Sequence, residues 1–339
     1  MIQQNPAAAP AFKPPTVDQL AVRVVVDSHH ERFIPDVPHP ALAKIEHTRQ
    51  IKGRQFSTLA CEWGLSLHLS SRKDGVGAQY MLDFGFTPDI VNRNFDLLDI
   101  DAKRIDGLIL SHGHRDHFGG LYGFVSQFRN HMPYDLSLYV GGEDIFREKW
   151  IKAPGNEIVS WGAIDKVALT ARRVMPVCCP HAQVLEGAFT TGFIPRHSFE
   201  TVSGGSMVAE GDYDHFTEAE RQGRLVQDQH PDEHATCYIV QGRGLVVITS
   251  CGHVGLINTI KAAMAVSGID KLHAVLGGFH LVTAPQEYID QTVRELKALA
   301  PDVVVSMHCT GWRFIDTLRR EMPETYVAAT VGSQFTFGA

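Results

Sequence analysis

From Ser111 to Gly120 the chain reads Ser-His-Gly-His-Arg-Asp-His-Phe-Gly-Gly, directly after the apolar run Gly107-Leu108-Ile109-Leu110. His112, His114, Asp116 and His117 therefore crowd into one short loop at the end of an expected strand. Neutral imidazole and carboxylate are the donors that borderline divalent ions prefer, and a strand delivers its last side chains to one point at its C-terminal end. Alternate residues of an extended or tightly turned segment project the same way. His112 and His114 are thus expected to converge on one ion, while Asp116 and His117 turn back towards a second. Gly113, Gly119 and Gly120 let the backbone fold closely around such a cluster.

The remainder of the chain has to supply a scaffold for that loop. With 339 residues and 44% apolar content it can bury a large core as one elaborated domain. Residues 1–18, rich in Ala and Pro, read as a flexible arm, free or docked on a partner subunit, ahead of a domain over 19–339. Strands are expected at 21–26, 65–69, 79–83 and 136–140, with helices at 89–101 and 121–130 on either side of the histidine loop. The stretch 141–235 is irregular: a helix near 143–151, short strands near 164–169, 173–178 and 183–185, and a polar helix near 217–224. It reads as a substrate-covering insertion, because long irregular segments of compact domains are commonly lids or binding loops. From 235 onward strands at 235–241, 245–249, 272–276 and 303–307 alternate with helices at 256–267 and 285–300, as β/α units do. The last three strands each end in a loop that carries a histidine: His253, His280 and His308.

These loops read Ser-Cys-Gly-His-Val-Gly (250–255), Leu-Gly-Gly-Phe-His-Leu (276–281) and Met-His-Cys-Thr-Gly (307–311). The pattern His-x-His-x-Asp-His after a Leu/Ile strand resembles the signature of the metallo-β-lactamase-fold hydrolases. Together and in this order, the three later motifs resemble the branch named after dihydropterin–ribofuranosylaminobenzene-phosphate synthase. The resemblance runs from about Val24 to the C-terminus. It implies an α/β fold, an αββα sandwich of two mixed sheets flanked by helices, and a centre for two divalent transition-metal ions, zinc first, with iron or manganese as alternatives.

The resemblance also implies roles. His112 and His114 with His253 match the ligands of one ion, and Asp116 and His117 with His308 those of the other. Asp83, in Leu-Asp-Phe-Gly, matches the acid that orients the signature histidines; Asp27 closes the first strand in a similar way, with less to support it. The chain departs from the family where most members carry a bridging aspartate: here the strand ends Thr249-Ser250-Cys251. Cys251 as a thiolate ligand, His280 in the vacant position, or Cys251 as a small residue filling a turn are the readings left open. Arg196, with Glu200 in a motif that usually has Glu where Phe193 stands, is a candidate grip for a phosphate or carboxylate. Asp116 and His280 are the candidate catalytic groups. His230, Asp232, Glu233 and His234 read as a solvated turn, and Trp63, Trp161 and Trp312 as core.

The expected function is metal-dependent hydrolysis, or a related transfer, on a phosphorylated small molecule, with phosphoester or phosphodiester cleavage favoured. Hydrolysis of a lactone, thioester or β-lactam is the alternative, and an iron-loaded oxygen- or electron-handling protein the alternative of another class. The substrate is expected to be a small anion. A net charge of −7 with interleaved signs argues against nucleic acid, and no apolar run approaches the roughly 20 residues that span a bilayer. Six cysteines without a Cys-x-x-Cys pair suit a reducing compartment, so a cytoplasmic location is expected, with a homodimer left open. Cys178 and Cys179 read as packing.

Overall fold

Two kinds of apolar pattern build the sheets. Gln19–Val26 alternates buried and half-buried residues, as a strand with one packed face does. Val303–Met307 is buried at every position, the mark of a strand covered on both faces. The computed structural model describes residues 12–49, 51, 57–211 and 217–339. One sheet runs, in spatial order, His181–Val184, Phe189–Gly192, Thr236–Val240, Gly244–Thr249, Leu272–Gly278 and Val303–Met307, with the last three parallel. The other runs Val174–Cys178, Leu136–Val140, Gly107–Leu110, Val76–Leu82, Ser66–Lys73, Gln19–Val26, Ser333–Gly338 and Lys44–His47. Its first four strands are parallel.

The two sheets face each other across one core that includes Val22, Leu67, Tyr80, Tyr238, Ile248, Leu276, Val305 and Phe335. Helices Pro88–Leu97 and Leu121–Phe128 cover the outer face of the second sheet through Val91, Phe95, Phe124 and Val125. Helices Leu256–Ser267, Gln286–Leu299 and Trp312–Glu321 cover the outer face of the first through Ile260, Ile289, Leu296 and Phe314. The result is the expected αββα sandwich. Ligand-bearing loops follow the carboxyl ends of parallel strands from both sheets, which brings the two halves of the site together at one edge.

Several expectations need correction. The arm is not free over its described part: Thr16–Val17 pairs in parallel with Thr236–Val240, and the Phe12 ring meets Phe189 edge-on at 6.0 Å. Its first eleven residues lie outside the described ones. The strand expected at 164–169 is instead a helix, Lys166–Ala171, because the Asp165 carboxylate accepts the Val167 and Ala168 N–H groups and caps it. The helix expected near 143–151 is a short 3₁₀ turn, Glu143–Phe146, followed by the strand Lys149–Lys152.

Nor is 141–235 one insertion. Val174–Cys178 and His181–Gly192 extend the two main sheets, while Lys149–Lys152, Ile158–Gly162, Met207–Ala209 and Leu225–Gln227 form a separate four-stranded sheet. Among the described residues no helix is long and apolar enough to cross a membrane.

A buried ion triad ties this small sheet to the histidine loop. Lys149 Nζ lies 2.7 Å from Asp228 Oδ2 and 3.3 Å from Asp232 Oδ1, and all three side chains are buried. Asp232 Oδ2 in turn accepts the Gly113 N–H at 2.8 Å. Removing the cation leaves two carboxylates without a counter-charge, so Lys149→Met is expected to cost about 3–5 kcal/mol in denaturant unfolding. A change within about 0.5 kcal/mol would mean that the triad is not coupled to folding.

Candidate metal centre

The histidine loop folds as a tight turn and one helical turn, Arg115–Phe118, pressed against the chain at Phe84–Phe86. A Cβ on Gly119 would stand 2.1 Å from Phe86 O, and one on Gly120 2.2 Å from Phe84 O, so only glycine permits this approach. His112, His114, Asp116 and His117 are all buried, and so are His253, His308, Cys251 and Cys309 from the other sheet. His280 is half-buried.

Hydrogen bonds select which ring nitrogen of each histidine faces inward. Ser111 Oγ donates to Asp83 Oδ2 at 2.8 Å and accepts from His112 Nδ1 at 2.9 Å; His117 Nδ1 donates to Asp83 Oδ2 at 2.7 Å. His253 Nδ1 donates to the Ser203 carbonyl at 2.9 Å. His308 Nδ1 lies 3.2 Å from Ser28 Oγ, and its backbone N–H donates to Asp27 Oδ1 at 2.7 Å. Each of these rings is left with an Nε2 that is buried and has no hydrogen-bond partner, as is Asp116 Oδ1; His308 Nε2 has only the Asp116 Oδ2 ion-pair contact. His114 is oriented the other way, with Nε2 2.9 Å from Ser206 Oγ.

Orphaned buried polar atoms are costly unless something else satisfies them, and five at one place form a donor set that a cation fits. The inward atoms of His112, His114 and His253 lie within 4.8 Å of one another. So do those of His112, His117 and Cys251, and those of Cys251, His308 and Cys309. Asp116 Oδ2 stands 3.3 Å from His308 Nε2 and 3.9 Å from His117 Nε2. The residues singled out in the sequence thus come together, Asp83 holding the signature histidines and Asp27 the His308 backbone. His280 approaches Cys251 Sγ with Nδ1 at 3.4 Å.

Backbone strain gathers at the same place. Asp83, His230, His280 and His308 have φ of 59°, 49°, 44° and 47°, in the left-handed region that non-glycine residues seldom occupy.

Other expectations fail. Arg196 is not a free guanidinium: the Gln229 side chain and carbonyl accept its hydrogen bonds. Glu200 accepts the Asn258 N–H at 2.9 Å, inside the first turn of the helix after His253. His230, Asp232, Glu233 and His234 are buried rather than solvated. The His230 ring stacks on His253 at 4.2 Å and 5°, and Glu233 accepts the His253 and Val254 N–H groups at 2.9 and 2.8 Å. Burial pushes the Glu233 carboxyl up to about 7. The signal for this run was present in the density of Asp, His and Glu between 228 and 234. Because Thr236–Val240 is antiparallel to Gly244–Thr249, the residues before Thr236 share an edge with those after Thr249.

Nor are Trp63, Trp161 and Trp312 core residues. Trp63 and Trp312 are 48% and 63% exposed, and Trp161 is half-buried against His114 at 5.0 Å. Trp63 and Trp312 line a largely apolar cavity of about 860 Å³ that reaches the histidine cluster at His308, where the Trp63 and imidazole ring centres are 4.9 Å apart. A smaller cavity of about 240 Å³ opens on the His280 side.

This architecture is the metallo-β-lactamase fold, and residues 76–171 match the family described as the metallo-beta-lactamase superfamily. In sequence the chain is similar to 7,8-dihydropterin-6-methyl-4-(beta-D-ribofuranosyl)-aminobenzene-5'-phosphate synthase of Methanocaldococcus jannaschii. The two are 29% identical over 283 residues, 81% of this chain and 90% of that protein. It is also 25% identical over 239 residues to the uncharacterized protein MJ0448 of the same organism, 70% of this chain and 81% of the other. The crystal structure of Tm1679, described as a metal-dependent hydrolase of the beta-lactamase superfamily, superposes with a TM-score of 0.67 at 20% identity. That superposition covers 93% of this chain and 98% of the other.

Protons and metal compete for these donors, and the two halves of the cluster differ. Burial holds the pKa of His112, His114 and His253 well below 6.5, so these rings stay neutral as the pH falls towards 6. At His308 burial also lowers the pKa, but Cys309 and Asp116 outweigh it and hold the imidazolium up to about 10. An ion that takes His308 must displace that proton. Chelator competition between pH 6 and 8 should therefore find the affinity for the ion on the His308 side rising more steeply with pH than that for the other, by about tenfold per unit. Parallel slopes for both would contradict this assignment.

Proposed function

We propose that the protein is a metal-dependent hydrolase, or a related transferase, acting on a phosphorylated small molecule, with phosphoester and phosphodiester bonds favoured. The observation that carries this reading is the convergence of buried, unpartnered donors from both sheets: Nε2 of His112, His117, His253 and His308, and Asp116 Oδ1. His112, His114 and His253 would hold one divalent ion, and Asp116, His117 and His308 a second, with zinc favoured by this donor chemistry over iron or manganese. Bound there, such ions supply an activated water at neutral pH and a Lewis acid for a phosphoryl oxygen.

The chain's own groups do the rest. Asp116, between His117 and His308, orients the attacking group and keeps its charge, because those two rings outweigh the effect of burial and hold its carboxyl below the usual range. His280 borders the smaller cavity and is placed to hand a proton to the leaving group. The apolar cavity between Trp63 and Trp312 receives the part of the substrate that does not react and keeps water from it. The phosphate preference rests on the sequence likeness to a synthase named for a 5'-phosphate compound, together with the two cations proposed for these donors; Arg196, held by Gln229, does not support it.

Elemental analysis after reconstitution is expected to give close to two ions per chain. A panel of phosphodiester, phosphomonoester, lactone and penicillin substrates should show the phosphodiester cleaved fastest, whereas a faster lactone would move the reading to carboxyl-ester chemistry. Asp116→Asn should lower turnover and metal retention by about 10- to 100-fold; unchanged values would remove Asp116 from the mechanism. Trp63→Ala and Trp312→Ala should raise KM for a naphthyl phosphodiester roughly 2- to 10-fold more than for a methyl one. Equal effects on both would mean that the cavity does not bind substrate.

A further inference from the structure

The bridging aspartate expected between the two ions is absent, and what stands in its place is sulfur. Cys251 follows Gly244–Thr249 and Cys309 follows Val303–Met307, strands separated in the sheet by Leu272–Gly278. Their loops nevertheless bring the two Sγ atoms to 3.2 Å, both buried. Cys251 Sγ is shared by three donor groups: with His112 and His117, with His253 and His280, and with His308 and Cys309. No other side chain in those groups reaches both the histidine loop and the His308 loop. The same space is lined by the unpartnered His112, His117 and His308 Nε2 atoms and by Asp116 Oδ1, so the thiols face a region of unsatisfied donors rather than an apolar packing gap. Cys309 Sγ is fixed by the His280 N–H at 3.3 Å.

We infer that Cys251 bridges the two metal ions as a thiolate and that Cys309 is a terminal thiolate ligand of the ion on the His308 side. This rests on the two-ion reading above and adds to it a sulfur-rich second site. Thiolates with imidazoles select zinc, iron(II) or cobalt(II) over magnesium, calcium and manganese.

The test is the near-ultraviolet sulfur-to-metal charge-transfer absorption of the full-length protein loaded with cobalt(II), read with metal content and independent of any substrate. The wild type should show the band, and a tenfold excess of manganese should not displace cobalt. Cys309→Ser should lose about half of the intensity and bind the second ion at least 10-fold more weakly. Cys251→Ser should weaken both ions, whereas Cys251→Asp should keep two ions while losing the bridging-thiolate intensity. Cys237→Ser, in a buried strand away from the cluster, should change nothing. A wild-type protein that binds two cobalt ions without the band, or Cys251→Ser and Cys309→Ser that leave spectrum and affinity unaltered, would overturn the inference and leave the two-ion centre standing. Failure to bind any cobalt would overturn both.

Discussion

With no solvent to screen it, the Asp83 carboxylate accepts three hydrogen bonds: from Ser111 N and Ser111 Oγ at 2.8 Å and from His117 Nδ1 at 2.7 Å. Through Ser111 it sets the His112 ring, and directly it sets His117, so one side chain decides which nitrogen two donors turn inward. Asp83 can do this because the chain leaves Val76–Leu82 in a left-handed turn, and because that strand lies in parallel beside Gly107–Leu110, the strand that delivers the histidines. Lose that carboxylate and the His112 and His117 rings have no fixed orientation, however well the sheets pack. Asp27 plays the corresponding part at the first strand's end, where it holds the His308 backbone.

Around this contact the protein buries a further set of charged side chains, among them Lys149, Asp228, Asp232, Glu233 and Glu200. The Lys149–Asp228–Asp232 triad pins Gly113, Glu233 fixes the backbone of His253, and Glu200 caps the helix that follows. Each is a tether between a ligand-bearing loop and an element that sequence order places far away. Burial of this kind contributes little net stability, but it limits the ways the loops can move. The third sheet gains its place from this, since it carries Lys149 and leads by way of Leu225–Gln227 into Asp228.

Much of this was legible in the amino-acid order. The β/α alternation after residue 235 and the apolar strand before His112 place the main elements within a few residues, because tertiary packing there agrees with local pattern. The 164–169 segment was misread because a single Asp cap outweighed β-branched content, and 143–151 because the buried partners of Lys149 favour a strand over local helix propensity. The run from Asp228 to His234 was passed over for a different reason. Polar residues ahead of a strand look like a turn unless its antiparallel neighbour is known to end in ligands. Trp63 and Trp312 read as core because aromatic residues carry no local sign of whether they line a core or a cavity. Cys309 escaped because proximity between loops two strands apart is a property of the sheet order.

The claim that the buried donors are a dinuclear metal centre is tested most directly by crystals of the zinc-reconstituted protein, with anomalous scattering recorded on either side of the zinc edge. The account predicts two strong peaks roughly 3.5–4 Å apart, one among His112, His114 and His253, the other against Asp116, His117 and His308. A single peak elsewhere, or no anomalous signal at these donors in fully loaded protein, would contradict it.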